Sequence, residues 1–280
     1  MKLLDKSTMP VLGQGTWGMG ENPASEEKEI KALRHGINNG LYLIDTAEMY
    51  GNGGAELVVG QAIKDFNRKD LYIISKVYPH NAGRNNIFTA CENSLDRLGT
   101  DYLDMYLLHW RGSIPLQETV ECMEELVKLG KIKGWGVSNF DTDDMKELWQ
   151  IKDGQNCLLN QVLYHLGSRG IEFDLLPWMK ENKVATMAYC PIAQGGRLRR
   201  GLLDNPAVNE VAKKHSISQT QVLLAFVLNQ ENLIAIPKAS SINHIDENIA
   251  TLNVKLDSED IALLNEHYPA PNHKTFLDIV

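Results

Sequence analysis

Short runs of branched and aromatic residues recur along this chain; each ends in a polar residue and is followed by an amphipathic stretch. The runs are residues 11–15, 42–45, 71–76, 102–109, 133–138, 158–161, 185–189 and 233–238. Several are almost continuously apolar, as strands buried on both faces of a parallel sheet must be. Between them, apolar residues return at helical spacing, with Ile30, Leu33 and Ile37 in one stretch and Leu116, Val120, Met123 and Val127 in another. Asp141 stands where a helix N-cap is expected, and Ser218 with Gln221 makes a candidate capping box before residues 222–228. One strand–helix unit cannot bury its own apolar faces, whereas a closed ring of them can. The pattern therefore predicts an α/β chain folded as a (β/α)8 TIM barrel, one domain over residues 1–280. Residues before Val11 are expected to form an N-terminal plug at the bottom of the barrel. Residues 194–214 are expected to form an ordered loop over its open face, and residues 257–267 an extra C-terminal helix.

The strands end on residues unusual for a core: Asp45, Lys76, His109, Ser138 with Asn139, Gln161, Tyr189 and Lys238. The intervals of 31 residues from Asp45 to Lys76 and 33 from Lys76 to His109 each fit one strand–helix unit. Taken singly, each has an ordinary explanation: a capping Asp, a solvated Lys, a hydrogen-bonded core His. At successive strand ends they converge on one mouth of a barrel, the face that carries the active site in this fold. Gly13-Gln14-Gly15-Thr16-Trp17-Gly18 matches G-x-G-x-x-G, but Gly20, Asn22 and Pro23 follow where a phosphate-binding helix should open. The glycines are instead expected to let the chain turn at the rim of the first strand.

Composition narrows the class of function. With 43% hydrophobic and 23% charged residues the chain reads as globular, and its net charge of −8 argues against a nucleic-acid platform. Cys91, Cys122, Cys157 and Cys190 form no CxxC pair, so reduced thiols and no metal site are expected. The N-terminus has no apolar signal core and no apolar run is long enough to span a bilayer, so a cytoplasmic protein without membrane contact is expected.

A set of segments in order resembles the aldo/keto reductase superfamily. They are Gly13-Gln14-Gly15-Thr16-Trp17, Ile44-Asp45-Thr46-Ala47-Glu48-Met49-Tyr50, Ser75-Lys76 and Leu107-Leu108-His109-Trp110. Gly136-Val137-Ser138-Asn139-Phe140, Asn160-Gln161, Ala188-Tyr189-Cys190-Pro191 and Ile236-Pro237-Lys238 complete the set. Within the superfamily the chain is similar to short bacterial members of the methylglyoxal reductase type. The resemblance implies NADPH-dependent reduction of small aldehydes, dicarbonyls or ketones, with a catalytic tetrad of Asp45, Tyr50, Lys76 and His109. Tyr50 would donate the proton, and Lys76, held by Asp45, should lower the phenol's pKa from its free value of about 10. His109 would position the carbonyl oxygen.

The resemblance also implies cofactor contacts. Ser138, Asn139 and Gln161 match those to the carboxamide, and Tyr189 matches the ring that stacks on the nicotinamide. Lys238 matches the base at the 2′-phosphate, and Glu247 with Asn248 match adenine contacts. Strong NADPH binders carry Arg six residues after this Lys, where this chain has His244, and Ala239 replaces a hydroxyl residue. Ser240 and Ser241 are the candidates to compensate, with NADPH the expected cofactor and NADH a weaker one. Trp17, Met49, Tyr78 and Trp110 are candidates to line an apolar substrate pocket. The segment after Tyr268 is short, so no extended C-terminal substrate loop is expected and an open, permissive site follows. A monomer acting on a small carbonyl compound is the expected form. The competing readings are a redox-sensing nicotinamide-binding module with slow turnover and a cofactor-independent barrel isomerase.

Overall fold

Alternation along each strand separates an inner from an outer face, and that parity organises the molecule. The computed structural model describes all 280 residues. Its eight strands are β1 (Gly13–Gly15), β2 (Leu43–Asp45), β3 (Tyr72–Val77), β4 (Met105–Leu108), β5 (Trp135–Ser138), β6 (Leu159–Leu163), β7 (Ala185–Tyr189) and β8 (Leu233–Ala235). They pair in parallel in chain order. The ring closes between β8 and β1, where the Ala235 amide donates to the Val11 carbonyl at 2.9 Å and the Gly15 amide to the Pro237 carbonyl at 3.2 Å. Closure leaves no exposed strand edge.

Inside the ring, Leu43, Ile74, Met105, Leu107, Leu159, Met187 and Ile234 pack as one apolar cluster, joined by Leu3 and Met9 from the N-terminal segment. That segment bridges on itself between Lys2 and Thr8, so the plug forms as expected. Gly13 and Gly15 occupy inner positions of β1. A Cβ at Gly13 would lie 2.6 Å from the Leu43 side chain, and one at Gly15 would lie 2.7 Å from the Ile236 carbonyl oxygen. These two glycines therefore permit close approach to the strands on either side, Gly13 to β2 and Gly15 to the end of β8. The turning is done by Gly18 (φ 75°) and Gly20 (φ 70°), which corrects the expectation for the first pair.

The outer faces of the strands bury against helices in a second, larger cluster. The helices are α1 (Glu26–Asn38), α2 (Gly54–Ile63), α3 (Ile87–Leu98), α4 (Leu116–Lys128), α5 (Thr142–Gln150) and α6 (Leu175–Glu181). After β7 come α7 (Arg197–Leu203), α8 (Pro206–His215) and α9 (Gln219–Leu228), and after β8 come α10 (Ile242–Thr251) and α11 (Ser258–His267). Residues 194–214 are thus largely two helices, where the sequence reading expected a loop. The Asn205 side chain caps α8, accepting from the Ala207 amide at 2.9 Å, and Pro206 fits the first helical turn because that position needs no amide donor. Val208, Val211 and Ala212 then bury on one face. Capping boxes at Asp141, Ser218 and Asp257 start α5, α9 and α11, the last being the extra helix. The four cysteines are free thiols, three of them buried. No helix is long and apolar enough to cross a membrane.

Candidate active site

The inner parity that packs the barrel also builds its mouth. Two residues beyond Leu43 comes Asp45; beyond Ile74, Lys76; beyond Leu107, His109; beyond Leu159, Gln161; beyond Met187, Tyr189. The apolar layers therefore give way to polar side chains at the C-terminal strand ends. Tyr50 arrives differently, on a single 3-10 turn, Tyr50–Gly53, that leads into α2. Gly51 (φ 57°) and Asn52 (φ 52°) hold that turn in left-handed backbone.

Lys76 is completely buried, and its Nζ lies 2.8 Å from Asp45 Oδ2, 2.9 Å from the Thr46 carbonyl and 3.1 Å from Tyr50 Oη. An ammonium has three donors, and each has a partner here, as a buried charge requires. Asp45 Oδ1 accepts from Gln161 Nε2 at 2.7 Å, so the carboxylate is held from both sides. Burial works against the Lys76 charge, but Asp45 and Tyr50 outweigh it and hold its pKa above the usual lysine value. For Tyr50 burial is the largest influence and raises its pKa, with Lys76 pulling the other way; the phenol ends above its ordinary value. Lys76 thus opposes the rise without reversing it, which corrects the expected net lowering. Because Lys76 donates to Tyr50 Oη, the phenol's own proton is free to be given elsewhere.

His109 is pushed down to about 3 by burial and then by the Lys76 ammonium, so its imidazole is neutral. Its ring packs edge-on against Tyr50 with centroids 5.7 Å apart, and its Nδ1 is buried without a partner. On the far side of the mouth, Ser138 Oγ donates to the Gln161 carbonyl at 2.8 Å and Asn139 Nδ2 to the His109 carbonyl at 3.2 Å. Tyr189 Oη donates to Asn139 Oδ1 at 2.9 Å, which fixes the tyrosine ring across the cleft.

These side chains share a cleft of about 1030 Å³, part of it open to solvent. Asp45, Met49, Tyr50, His109, Trp17, Ser138, Asn139, Gln161, Tyr189 and Lys238 line it. Lys76 lies beneath. Tyr78 and Trp110 are not among the lining residues; they pack edge-to-face at 5.9 Å, with Trp110 against His109 at 4.9 Å. Ser240, Ser241, His244, Glu247 and Asn248 also lie outside the lining, on the β8–α10 connection and on α10. Ser241 caps α10 by accepting from the His244 amide at 3.4 Å, His244 is exposed and Asn248 is buried.

The segment after β7 reaches the open face as expected of residues 194–214, but its lining residues, Cys190 to Gly195 and Arg199, were not singled out from the sequence. The Gly195-Gly196 pair followed by three arginines was the available signal. Sequence reasoning also missed the tail. Val280 lines the cleft, the Ser168 hydroxyl donates to Asp278, and Lys274 Nζ lies 3.3 Å from carboxylate oxygens of both Asp141 and Asp174. The short C-terminal segment is therefore anchored beside the mouth, and the site is less open than its length suggested.

A closed barrel gathers a buried Lys–Asp pair, a tyrosine and a neutral histidine beside one cleft at its mouth, the place where enzymes of this fold class carry their active sites. Residues 11–269 match the model of the Aldo/keto reductase family, and the chain belongs to that family of oxidoreductases. It is 56% identical over 273 residues to methylglyoxal reductase YeaE of Escherichia coli (strain K12), covering 98% of this chain and 96% of that protein. It is 36% identical to glyoxal reductase of Bacillus subtilis (strain 168), covering 97% and 95% of the two chains. An aldo/keto reductase from Klebsiella pneumoniae, crystallised with NADP and acetate, superposes with a TM-score of 0.97 at 54% identity, over 100% of this chain and 98% of that one. An aldo-keto reductase from the same organism, crystallised with NADPH, matches equally well.

Proposed function

We propose that the protein reduces small aldehydes, dicarbonyls of the methylglyoxal kind and ketones to alcohols with NADPH, and that Tyr50 donates the proton. The observation that carries this reading is the Lys76–Tyr50 hydrogen bond at 3.1 Å, made by a lysine whose charge Asp45 holds inside the barrel. The relatives that act on methylglyoxal and glyoxal support the substrate class.

The cleft suits a nicotinamide dinucleotide. Gln161 Oε1 has no protein hydrogen bond and is free to accept from a carboxamide, beside Ser138 and Asn139. Lys238 and Arg199 line the same cleft and neither has a carboxylate partner, which leaves two cations for phosphate; Arg199 Nε is buried without any partner. Tyr189 offers its ring to the nicotinamide. Ser240, Ser241 and His244 sit near Lys238 in the chain for the 2′-phosphate, and Glu247 and Asn248 follow for adenine. When bound, NADPH supplies a hydride to the carbonyl carbon. As negative charge builds on the carbonyl oxygen, Tyr50 transfers its proton to it. The Lys76 ammonium then faces the phenolate and stabilises it, while Asp45 keeps Lys76 charged. Neutral His109 gives one ring N–H to the same oxygen and orients it.

The test is NADPH oxidation followed across methylglyoxal, simple aldehydes and ketones. Turnover with dicarbonyls is expected; tight NADPH binding with no turnover on any of them contradicts the reading and favours a sensor. Lys238→Ala should weaken NADPH by about ten- to a hundredfold, the worth of a charged hydrogen bond, and weaken NADH little. Equal loss for both cofactors removes Lys238 from the 2′-phosphate.

A further inference from the structure

We infer that Glu56 and Arg97 are positioning residues for this reaction: Arg97 supports the turn that carries Tyr50 and holds Glu56, which grips the strand that carries Lys76 through Ser75. The inference rests on Tyr50 as the proton donor and goes on to name what holds it in place.

Glu56 lies in the first turn of α2, three residues after Gly53, where the Tyr50 turn ends, and is completely buried. One of its oxygens accepts from the Ser75 hydroxyl and the other from Arg97 Nε at 2.6 Å. Ser75 precedes Lys76 on β3, so it faces outward where Lys76 faces inward. The carboxylate therefore grips the strand directly behind the catalytic lysine.

Arg97, in the last turn of α3, also reaches Ser94 Oγ at 3.3 Å. Its side chain lies under Gly53, the last residue of the Tyr50 turn, where a Cβ would come 2.7 Å from both Arg97 Cδ and Nε. Gly53 has φ 88°, so the turn is both left-handed and pressed onto the arginine. The opposite side of the turn is also supported. A Cβ at Gly51 would lie 3.1 Å from the Met19 carbonyl, and the neighbouring Gly20 amide donates to the buried Glu29 at 3.0 Å.

The Lys76–Tyr50 hydrogen bond spans the two elements that this pair ties together. The groups that face the Tyr50 phenol are Lys76, Asp45, Cys190 and the His109 ring. Glu56 and Arg97 thus act on it through the backbone. The ion pair joins α2 to α3, and the Ser75 hydrogen bond joins the same carboxylate to β3; a packed apolar pair would hold two helices together as well as an ion pair does. What it adds is direction, because a charged hydrogen bond fixes distance and angle.

The experiment compares Arg97→Met, Arg97→Lys and the double variant Glu56→Leu with Arg97→Met, each as the full chain. The double variant leaves no unpaired buried carboxylate, so it reports even where Arg97→Met alone fails to fold. The readings are kcat and KM for methylglyoxal, NADPH affinity and thermal stability. Misplacement of a catalytic group by a remote change costs up to about a hundredfold. The double variant is expected to keep NADPH affinity and KM while kcat falls about ten- to a hundredfold, and Arg97→Lys is expected to recover part of that kcat. A double variant with wild-type kcat overturns the inference. So does a loss of kcat that only tracks lost NADPH binding or lost folded protein. Tyr50→Phe in the same assay separates the two levels: full activity there removes the proposed donor itself, whereas an inactive Tyr50→Phe beside an unaffected double variant removes only the positioning role.

Discussion

Lys76 makes no contact with solvent, and its partners Asp45, Thr46 and Tyr50 account for all three of its donors. Neutralising Asp45 should therefore leave a buried ammonium short of countercharge. Asp45→Asn is expected to lower stability by about 3–5 kcal/mol, measured by urea denaturation, with loss of turnover. A change within about 0.5 kcal/mol, the usual range for an innocuous surface substitution, contradicts the pairing. His109 gives a pH test. Burial and the adjacent Lys76 both disfavour imidazolium, which places its titration at about 3. The ring is thus neutral at every pH above that, and kcat should show no limb from His109 between about pH 5 and 8, where an unperturbed histidine titrates. A limb near 6.5 that disappears in His109→Gln contradicts a neutral role. Asp45, Lys76 and His109 were legible in the sequence because each continues the inward parity of an apolar strand. Tyr50 was legible only through the family resemblance, since a left-handed turn displays no periodicity. Arg199 and Val280 were not legible as cleft residues, because their positions depend on how distant segments cross the mouth.

At the scale of elements, the strand ends and helix caps were readable from local chemistry. The boxes at Asp141 and Ser218 form as their residue types require. The two helices after β7 were missed although Asn205-Pro206 is a good helix start, because the glycines and arginines before it read as loop. Gly13 and Gly15 read as turn formers, while their role lies in close contacts with neighbouring strands that no local pattern reveals. Gly15→Ala tests this. Its Cβ would meet the Ile236 carbonyl oxygen at the β1–β8 seam, so an overpacking cost of about 1–3 kcal/mol is expected in chemical denaturation. A neutral or stabilising alanine, as at a position that only needs turning freedom within reach of an L residue, contradicts the close-approach role.

For the whole molecule, one closed ring of strands performs two tasks. Its lower layers, with Leu3 and Met9 as plug, are apolar, and its upper layer gathers groups from seven different strand–helix units around one cleft. The ring was legible because strand–helix repetition leaves few closed solutions; the anchored tail was not, since Lys274 and Asp278 acquire partners only once the barrel exists. The reaction proposed here turns on Tyr50 protonating the carbonyl oxygen in an otherwise intact cofactor site. The most direct measurement is kcat for NADPH-dependent methylglyoxal reduction by the wild type and Tyr50→Phe, with the NADPH dissociation constant of each. A fall in kcat of at least about 10²–10⁴-fold is expected, the usual worth of general acid catalysis, with NADPH affinity unchanged. Turnover by Tyr50→Phe close to that of the wild type would contradict it.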